Sequence, residues 1–442
     1  MVLKSSGSKS AARHRNKRRG QVSLPLSAGS DYTLSLSLNS QTVSVYMDTG
    51  SDMVWFPCSP FECILCEGKD RVKDCLPLNV SKVTLQSCKS RACSAAHSSL
   101  PSSDLCAIAR CPLDQIETSD CSGYDCPSFY YAYGDGSLIA QLHMNNLLLP
   151  ATSYGNGNGK SLIVENFTFG CAHSTLGEPI GVAGFGRGSL SLPAQLGPEL
   201  GNQFSYCLVS HSFDSTKLRH PSPLILGKSK KTQPENDIAD EVSKYVYTPL
   251  LENPKHPYFY SVGLEAISVG NRRIPAPKKL LAIDGEGNGG VVVDSGTTYT
   301  MLPTGLYKSV TAELKKQVGK RHLAADTQSR TGLSPCFRWR TAMVLPTLVL
   351  HLGRNSSVVL PQSNYFHHFI DEYEYDDGNM NRRMKMKVVC FMMMDGGDES
   401  GPGATLGNYQ QQGFHVIYDL SEGWVGFAPR QCETLWNDLN RH

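Results

Sequence analysis

Residues 45–51 read VYMDTGS, and residues 291–297 read VVVDSGT. Each segment is an apolar run of β-favouring residues that ends in Asp, a small hydroxyl residue, Gly and a second hydroxyl residue. A single Asp-Thr-Gly is a weak signal, because these residues fill ordinary turns. Two copies at the ends of apolar strands, one in each half of the chain, predict a duplicated half-site. Each lobe then supplies one carboxylate, Asp48 and Asp294.

These two carboxylates suit acid–base catalysis if a pseudo-twofold axis brings them together. Two like charges at hydrogen-bond distance do not both ionise easily, so the pair holds one proton. The ionised member acts as general base on a water molecule, and the protonated member polarises the carbonyl group under attack. Because the proton belongs to both groups, the pair titrates with macroscopic pKa values.

Further segments follow in the order found in the pepsin-like aspartic endopeptidases, which the chain resembles from about Gln21 to Cys432. MVWFP at 53–57 places the family's flap-supporting tryptophan on Trp55. YAYGDGS at 131–137 resembles the flap hairpin and places the flap tyrosine on Tyr133. Two hydrophobic-hydrophobic-Gly elements and the closing strands of the family are matched at 181–186, 404–408, 413–419 and 425–428.

The hydrophobic pattern also favours an all-β fold, because strand-like runs bounded by Gly, Pro or Asn outnumber helical windows. The chain is 442 residues long with 40% hydrophobic residues, enough for two lobes. The better strand windows are 32–38, 161–169, 258–269 and 388–393, and the better helical windows are 304–318 and 192–196.

The resemblance implies a bilobal pepsin-like fold, in which two pseudo-twofold-related β lobes enclose the active-site cleft. We expect a basic, disordered segment at 1–20 and an N-terminal lobe at 21–210. This lobe would contain a cysteine-rich insert at 58–126 and the flap at 129–141. The C-terminal lobe would span 211–442.

The resemblance also implies an enzyme that hydrolyses peptide bonds in protein or peptide substrates, without a metal or organic cofactor. We expect a monomer with an acidic pH optimum, in which the flap closes over the substrate. The residues given supporting roles around Asp48 and Asp294 are Tyr133, Gly134, Trp55, Gly50, Ser51, Gly296, Thr297 and Thr298.

The positions of the 15 cysteines indicate a subgroup within this family, because ten of them fall between Cys58 and Cys126. A loop-rich stretch this dense in cysteine needs cross-links, because it has too few large apolar residues for a core of its own. An insert of this kind directly after the first motif resembles the nepenthesin-type plant proteases.

The nepenthesin pattern implies several disulfides, although connectivity cannot be proved from sequence. It suggests a long bridge from Cys66 to Cys126 and leaves Cys75, Cys121 and Cys171 unplaced. The other implied bonds are short bridges among Cys58, Cys63, Cys88, Cys93, Cys106 and Cys111, together with Cys207–Cys432 and Cys336–Cys390.

A zinc site is the competing interpretation, because Cys63 and Cys66 form a CxxC pair. A structural zinc needs a second pair at matching spacing, and Cys121 and Cys126, with four residues between them, are a poor partner. The 13 histidines show no HExxH or similar metal spacing. We therefore predict disulfides and no metal.

Three glycosylation sequons, at Asn79, Asn166 and Asn355, agree with the cysteines in favouring an extracellular or vacuolar protein. The basic residues 1–20 contain no apolar signal-peptide core. No run of 18 apolar residues predicts a membrane span. We therefore expect a truncated, alternatively started or mis-assigned N-terminus.

The basic run at 13–19 admits three interpretations: a nucleic-acid or nuclear-import patch, the end of a propeptide, or a solvated terminus. The whole chain carries a formal net charge of only +2, which argues against a nucleic-acid partner.

A binding protein on the same scaffold is the alternative function. Some plant relatives keep the fold, lose a catalytic aspartate or reshape the cleft, and inhibit glycosidases. Both half-site motifs and Tyr133 are present in this sequence, which favours an enzyme. The segment SLIAQ at 137–141 departs from the archetypal flap and leaves the pocket shape open.

The glycine-rich segment 184–188 invites comparison with a phosphate-binding loop. It lacks the Lys-Ser/Thr that follows the glycines in such a loop.

Overall fold

The computed structural model describes residues 21–440, except 30, 39, 67–76, 82, 135, 151–161, 211–220, 228–244, 342, 377–380 and 399. The basic segment 1–20 and Cys75 therefore lie outside the described residues. Strands hold 47% of the described residues and helices 20%. The predicted all-β class is confirmed.

The first half of the chain folds into strands that alternate between buried and exposed residues, as in Tyr32–Leu38, where every second side chain is buried. These strands are β1 (Val22–Ala28), β2 (Tyr32–Leu38), β3 (Gln41–Asp48), β4 (Val54–Ile64), β5 (Thr84–Leu85), β6 (Phe129–Tyr133), β7 (Gly136–Leu149), β8 (Leu162–Leu176), β9 (Gly181–Gly184), β10 (Gln203–Cys207) and β11 (Ser222–Leu226).

The second half repeats the strand-rich pattern. Its strands are β12 (Val246–Leu251), β13 (Ser261–Val262), β14 (Leu264–Val269), β15 (Arg272–Pro275), β16 (Gly289–Val293), β17 (Thr300–Leu302), β18 (Cys336–Arg338), β19 (Leu348–Leu352), β20 (Ser356–Leu360), β21 (Phe366–Asp376), β22 (Asn381–Phe391), β23 (Met393–Asp395), β24 (Pro402–Leu406), β25 (Phe414–Asp419) and β26 (Trp424–Pro429).

Helices are short, with the exception of one amphipathic helix in the second half. The α-helices are α1 (Arg91–Ala96), α2 (Ser102–Ile108), α3 (Leu113–Thr118), α4 (Leu192–Leu200), α5 (Thr304–Val318), α6 (Ala325–Thr331), α7 (Asn408–Gln411) and α8 (Cys432–Asn440), and 3₁₀ turns lie at Lys278–Leu280, Lys320–His322 and Gln362–Asn364.

One sheet joins the two halves of the molecule. Its strand order is β1-β11-β10-β25-β26-β12, and every neighbouring pair is antiparallel. The register sets Phe204 of β10 opposite Tyr418 of β25, and their rings stack 4.6 Å apart. The three strands of the first half and the three of the second half meet at the β10–β25 pair, so this sheet connects the two lobes.

The cysteine-rich insert folds as three short helices tied to the flap side of the first lobe. The helices α1, α2 and α3 pack in a small core with Trp55, Phe129 and Leu142. Disulfides Cys93–Cys126 and Cys106–Cys111 run through this core. The few helical windows expected from the sequence did not include these three helices.

The predicted long bridge from Cys66 to Cys126 is wrong. Cys66 bonds to Cys63 on the same strand end, and Cys126 bonds to Cys93. A further disulfide joins Cys58 to Cys171, because β4 and β8 run side by side and Phe56 pairs with Cys171 in register.

Of the other cysteines that the resemblance placed in disulfides, some are bonded in the structure and one is free. Cys207–Cys432 and Cys336–Cys390 are bonded in the structure, as the resemblance implied. Cys88, which the sequence pattern placed in a short bridge, is instead a buried free thiol, as is Cys121.

Candidate active site

The two half-sites stand at the ends of equivalent strands. Strand β3 ends at Asp48 and runs parallel to β9, and strand β16 ends just before Asp294 and runs parallel to β24. The backbone N–H of Phe185 donates to the Asp48 carbonyl at 2.6 Å, and the N–H of Asp294 donates to the Leu406 carbonyl at 3.0 Å. Each aspartate is thus fixed by the neighbouring parallel strand.

A reciprocal set of hydrogen bonds locks the half-sites together across the lobes. The backbone N–H of Thr49 donates to the Ser295 hydroxyl at 3.1 Å, and the N–H of Ser295 donates to Thr49 Oγ1 at 2.8 Å. The two hydroxyls in turn donate to strand carbonyls of the opposite lobe, Thr49 to Val293 and Ser295 to Met47. The second motif position is therefore structural, which explains the need for a small hydroxyl residue there.

The glycines of the motifs let each backbone pass directly over the opposite carboxyl group. A Cβ atom on Gly50 would lie 2.8 Å from Asp294 Oδ2, and one on Gly296 would collide with Asp48 Oδ1. The lobes can meet at this distance only without side chains at these positions. The Asp48 and Asp294 carboxyls approach closely enough to share a hydrogen bond.

Donors hold the two carboxyls in matching orientations. The N–H of Gly50 donates to Asp48 Oδ1 at 2.8 Å, and the N–H of Gly296 donates to Asp294 Oδ1 at 2.8 Å. Thr297 Oγ1 donates to Asp294 Oδ2 at 2.6 Å. The Ser51 hydroxyl, at the equivalent position of the first half-site, is buried beside Asp48.

Burial raises the pKa of Asp48 well above the ordinary carboxyl value. The charge of Asp294 raises it further, and the nearby Ser51 and the Gly50 N–H oppose the rise. A carboxyl group in this position keeps a proton at a pH where an exposed one would lose it. The pair therefore has the electrostatics of a shared-proton acid–base site.

The sequence did not identify the polar residues beneath the dyad. Gln411 Nε2 donates to the carbonyls of Asp294 and Leu406, at 3.0 and 2.8 Å. Its Oε1 accepts from the Tyr206 hydroxyl, which also contacts the Tyr418 hydroxyl at 2.8 Å. All three side chains are buried. Gln411 is one of three consecutive glutamines at 410–412, and no local pattern distinguishes it from its neighbours, so only the fold could assign it this place.

The predicted flap is the hairpin of β6 and β7, whose register pairs Tyr133 with Gly136. Trp55 is buried beneath it, with its ring centroid 6.4 Å from that of Tyr133. Gly134 has a positive φ of 27° at the turn, and Asp135 lies outside the described residues. Trp55 thus packs against this hairpin, and its support of a mobile flap remains a prediction.

Thr298 takes a different place from the other predicted support residues. Its hydroxyl donates to Asp31 Oδ1, on the first lobe, at 3.5 Å. We therefore place Thr298 at a lobe-to-lobe contact beside the dyad.

Among the described residues, one cluster has the composition of a metal site: Cys93, His97 and Cys126. Its two sulfur atoms are joined in a disulfide, so they do not supply thiolate ligands. The CxxC pair Cys63 and Cys66 is likewise a disulfide. The zinc interpretation of the insert is therefore unsupported by these cysteines.

The three sequon asparagines are all exposed. Asn355 stands at the turn between β19 and β20, and Asn79 lies in an Asx turn that accepts from the N–H of Ser81. Asn166 has a positive φ of 56° within β8, and the Thr168 of its sequon is buried. Their modification remains a prediction.

Comparison with known families matches both halves of the chain. The family described as xylanase inhibitor N-terminal matches residues 32–228, and that described as xylanase inhibitor C-terminal matches residues 259–429. A probable aspartyl protease of Arabidopsis thaliana is 56% identical, over 95% of this chain and 85% of that protein. The chain belongs to the pepsin-like aspartic protease family.

Other relatives place this aspartic protease family member in the nepenthesin type. Aspartic proteinase nepenthesin-2 of Nepenthes gracilis is 29% identical over 93% of this chain and 80% of its own. Among solved structures, edgp has a TM-score of 0.66 at 19% identity, covering 95% of this chain and 97% of that one. Conglutin gamma, a basic 7S globulin from lupine seeds, has the same TM-score at 18% identity, with 95% and 99% covered. These structures share the fold.

Proposed function

We propose that this protein is an aspartic endopeptidase in which Asp48 and Asp294 together activate a water molecule. The observation that carries the proposal is the paired geometry of the two carboxyls. They face each other across the lobes, each accepts from the glycine N–H two residues on, and the Thr49–Ser295 bonds fix their separation. An unused aspartate pair would not need this matched support.

The reaction follows from a pair that holds one proton. The ionised carboxylate takes a proton from water, whose oxygen attacks the peptide carbonyl carbon, while the protonated carboxyl gives its proton to the carbonyl oxygen. The proton taken from water then passes to the amide nitrogen as the C–N bond breaks, and a hydroxyl of the tetrahedral intermediate returns a proton to the second carboxylate as the carbonyl re-forms. Water is consumed, both products leave, and the pair returns to one proton without a covalent intermediate.

The substrate is an extended polypeptide that lies between the flap and the dyad. We expect Tyr133, at the end of the flap strand β6, to lie over the substrate, where an extended chain can make main-chain hydrogen bonds while its side chains alternate between pockets. We expect an acidic pH optimum, because a second ionisation of the pair removes the proton that polarises the carbonyl. The activity needs no metal or organic cofactor.

We also propose that the protein acts in an extracellular or vacuolar compartment, as the six disulfides of the described residues favour. No helix of the described residues is long and apolar enough to cross a membrane.

A binding or inhibitory protein on this scaffold is the second candidate, because the matched families are described as xylanase inhibitor domains. The two candidates differ in whether the dyad does chemistry. The inhibitor candidate predicts a folded, correctly disulfide-bonded protein that cleaves no peptide and whose partner affinity does not depend on Asp294.

The test is cleavage of a denatured protein substrate from about pH 3 to about pH 8, with and without pepstatin. Asp294→Asn keeps the shape of the side chain but removes the acid–base pair, and exposed Asp326→Asn is the matched control. We expect acid-dependent, pepstatin-sensitive cleavage that is lost in Asp294→Asn and kept in the control. Absence of cleavage by the folded wild-type protein would support the binding candidate.

A further inference from the structure

A third carboxylate lies beside the dyad on the flap side. Asp52 lies four residues after Asp48, and the residue four positions after Asp294 is Thr298. Asp52 is partly buried, and its Oδ1 accepts a hydrogen bond from the Tyr131 hydroxyl at 3.2 Å. Tyr131 belongs to the flap strand β6, so Asp52 connects the floor of the cleft to the flap.

The walls around Asp52 come from both lobes. On the first lobe, Gly188 packs so closely that a Cβ atom there would collide with the Asp52 carboxylate. On the second lobe, Tyr258 is close enough to Asp52 for the carboxylate charge to help raise its pKa. Asp52 thus faces the seam between the lobes, where the substrate would pass.

No cation of the described residues pairs with Asp52. Arg187 is a basic residue of this wall, and its backbone N–H donates to the Tyr258 carbonyl at 3.0 Å. Its guanidinium instead makes two hydrogen bonds to Glu252, at 3.0 and 3.3 Å. The protein therefore leaves one carboxylate of the cleft wall without a counter-ion.

A partly buried carboxylate has lost part of its hydration, which a cation of the ligand can replace. We propose that Asp52 selects a lysine or arginine side chain of the substrate on the Tyr258 side of the scissile bond. This inference rests on the proposed peptidase function and adds a preference for basic residues to it. A neutral side chain at the same subsite would leave Asp52 desolvated and unpaired.

The preference depends on pH with a defined sign. Burial raises the pKa of Asp52, opposed by the Tyr131 hydrogen bond and by the Asp52 backbone N–H. The groups that face it are the phenols of Tyr131 and Tyr258, which stay neutral in acid, and through Tyr131 the dyad carboxyl of Asp48. On acidification Asp52 takes up its proton earlier than an exposed aspartate, so the preference for basic residues weakens as the pH falls.

The experiment compares pairs of peptides that differ only by Lys or Gln at one position near the cleavage site. For the wild-type enzyme near pH 6, we expect kcat/KM for one Lys peptide to exceed that of its Gln partner by about tenfold. Asp52→Asn keeps an acceptor for Tyr131 and removes the charge, so the Lys-to-Gln ratio should fall to about one. Asp31→Asn, beside Thr298 on the other half-site, is the matched control and should keep the wild-type ratio at that position.

The outcomes separate this inference from the proposed function. Absence of any peptide cleavage by the wild-type enzyme overturns the peptidase proposal itself. Cleavage with equal Lys and Gln rates at every position, or a Lys preference that persists in Asp52→Asn, overturns the role of Asp52. If Asp52→Asn does not fold, the wild-type enzyme provides the test instead. Its Lys-to-Gln ratio of kcat/KM is measured from about pH 6 to about pH 3, and a ratio that does not fall with the pH overturns the role of Asp52.

Discussion

Thr49 and Ser295 exchange hydrogen bonds between N–H and hydroxyl groups across the two lobes, 246 residues apart in sequence. Both residues are buried, so neither group could turn to water if its partner were lost. The same pair that positions Asp48 and Asp294 also holds the lobes at a fixed separation. Stability and activity should therefore fail together when this contact is broken.

Thr49→Val removes the hydroxyl and leaves the buried N–H of Ser295 unpaired. We expect a loss of about 1–3 kcal/mol in the free energy of unfolding and a large loss of kcat/KM. Thr49→Ser keeps the hydroxyl and is the control. In a double-mutant cycle with Ser295→Ala, the effects on unfolding by denaturant should be clearly non-additive; additive losses would mean that the two residues act independently.

The raised pKa of Asp48 predicts how the stability of the protein depends on pH. Because the folded state binds this proton more tightly than the unfolded state, the contribution is fully present below the ordinary carboxyl pKa of about 4. It is lost as the pH rises from there towards the folded pKa, which burial and the charge of Asp294 hold well above the ordinary value. Asp48→Asn cannot ionise and escapes this loss.

We therefore expect the Tm of Asp48→Asn to rise relative to wild type by a few degrees between mildly acidic and slightly alkaline pH. Thermal unfolding of the two proteins side by side measures the difference, and Asp326→Asn again serves as the exposed control. Parallel pH profiles for wild type and Asp48→Asn would contradict a raised pKa at this position.

Trp55 should control the flap through packing. Trp55→Ala opens a cavity below Tyr133, and we expect it to lower the free energy of unfolding by about 3–5 kcal/mol. Trp55→Phe retains an aromatic ring at this buried site and should keep most of the stability, while kcat/KM still falls because the smaller ring positions the flap less well.

Trp436→Phe, in the half-exposed C-terminal helix α8, is the control for aromatic substitution as such. Denaturant unfolding and peptide kinetics on the three variants measure both effects. Full activity in Trp55→Ala would show that the flap does not depend on the tryptophan.

We predict an additional disulfide between Cys88 and Cys121. Both are buried, and their sulfur atoms are close enough for a hydrogen bond. In an oxidising compartment we expect them to pair, with a disulfide or oxygen as the electron acceptor. The denatured, unreduced protein should then show a single reactive thiol from the 15 cysteines.

Thiol labelling followed by intact mass measurement tests this pairing. The Cys88→Ser variant is the matched control, because it frees Cys121 and adds one reactive thiol to the wild-type count. Three reactive thiols in unreduced wild type would show that Cys88 and Cys121 stay reduced.

Local sequence patterns determined the elements around the site. The window 304–318 forms a helix with those bounds, since its apolar residues recur on one face, and the window 32–38 forms a strand with alternating burial. The duplicated half-site could be identified because Asp48 and Asp294 each follow an apolar strand within one short segment. Periodicity and turn chemistry act within a few residues, so the sequence displays them directly.

Only the tertiary structure decided which distant groups meet. It paired Cys58 with Cys171 across 113 residues, set Gln411 beneath Asp294, and brought Asp52 against Tyr131 of the flap strand β6. Many partners are chemically equivalent for a cysteine, a glutamine or an aspartate, and only the register of the strands selects one. The sequence by itself thus determined the family, the fold class and the two aspartates, whereas packing of the lobes decided the surroundings that tune them.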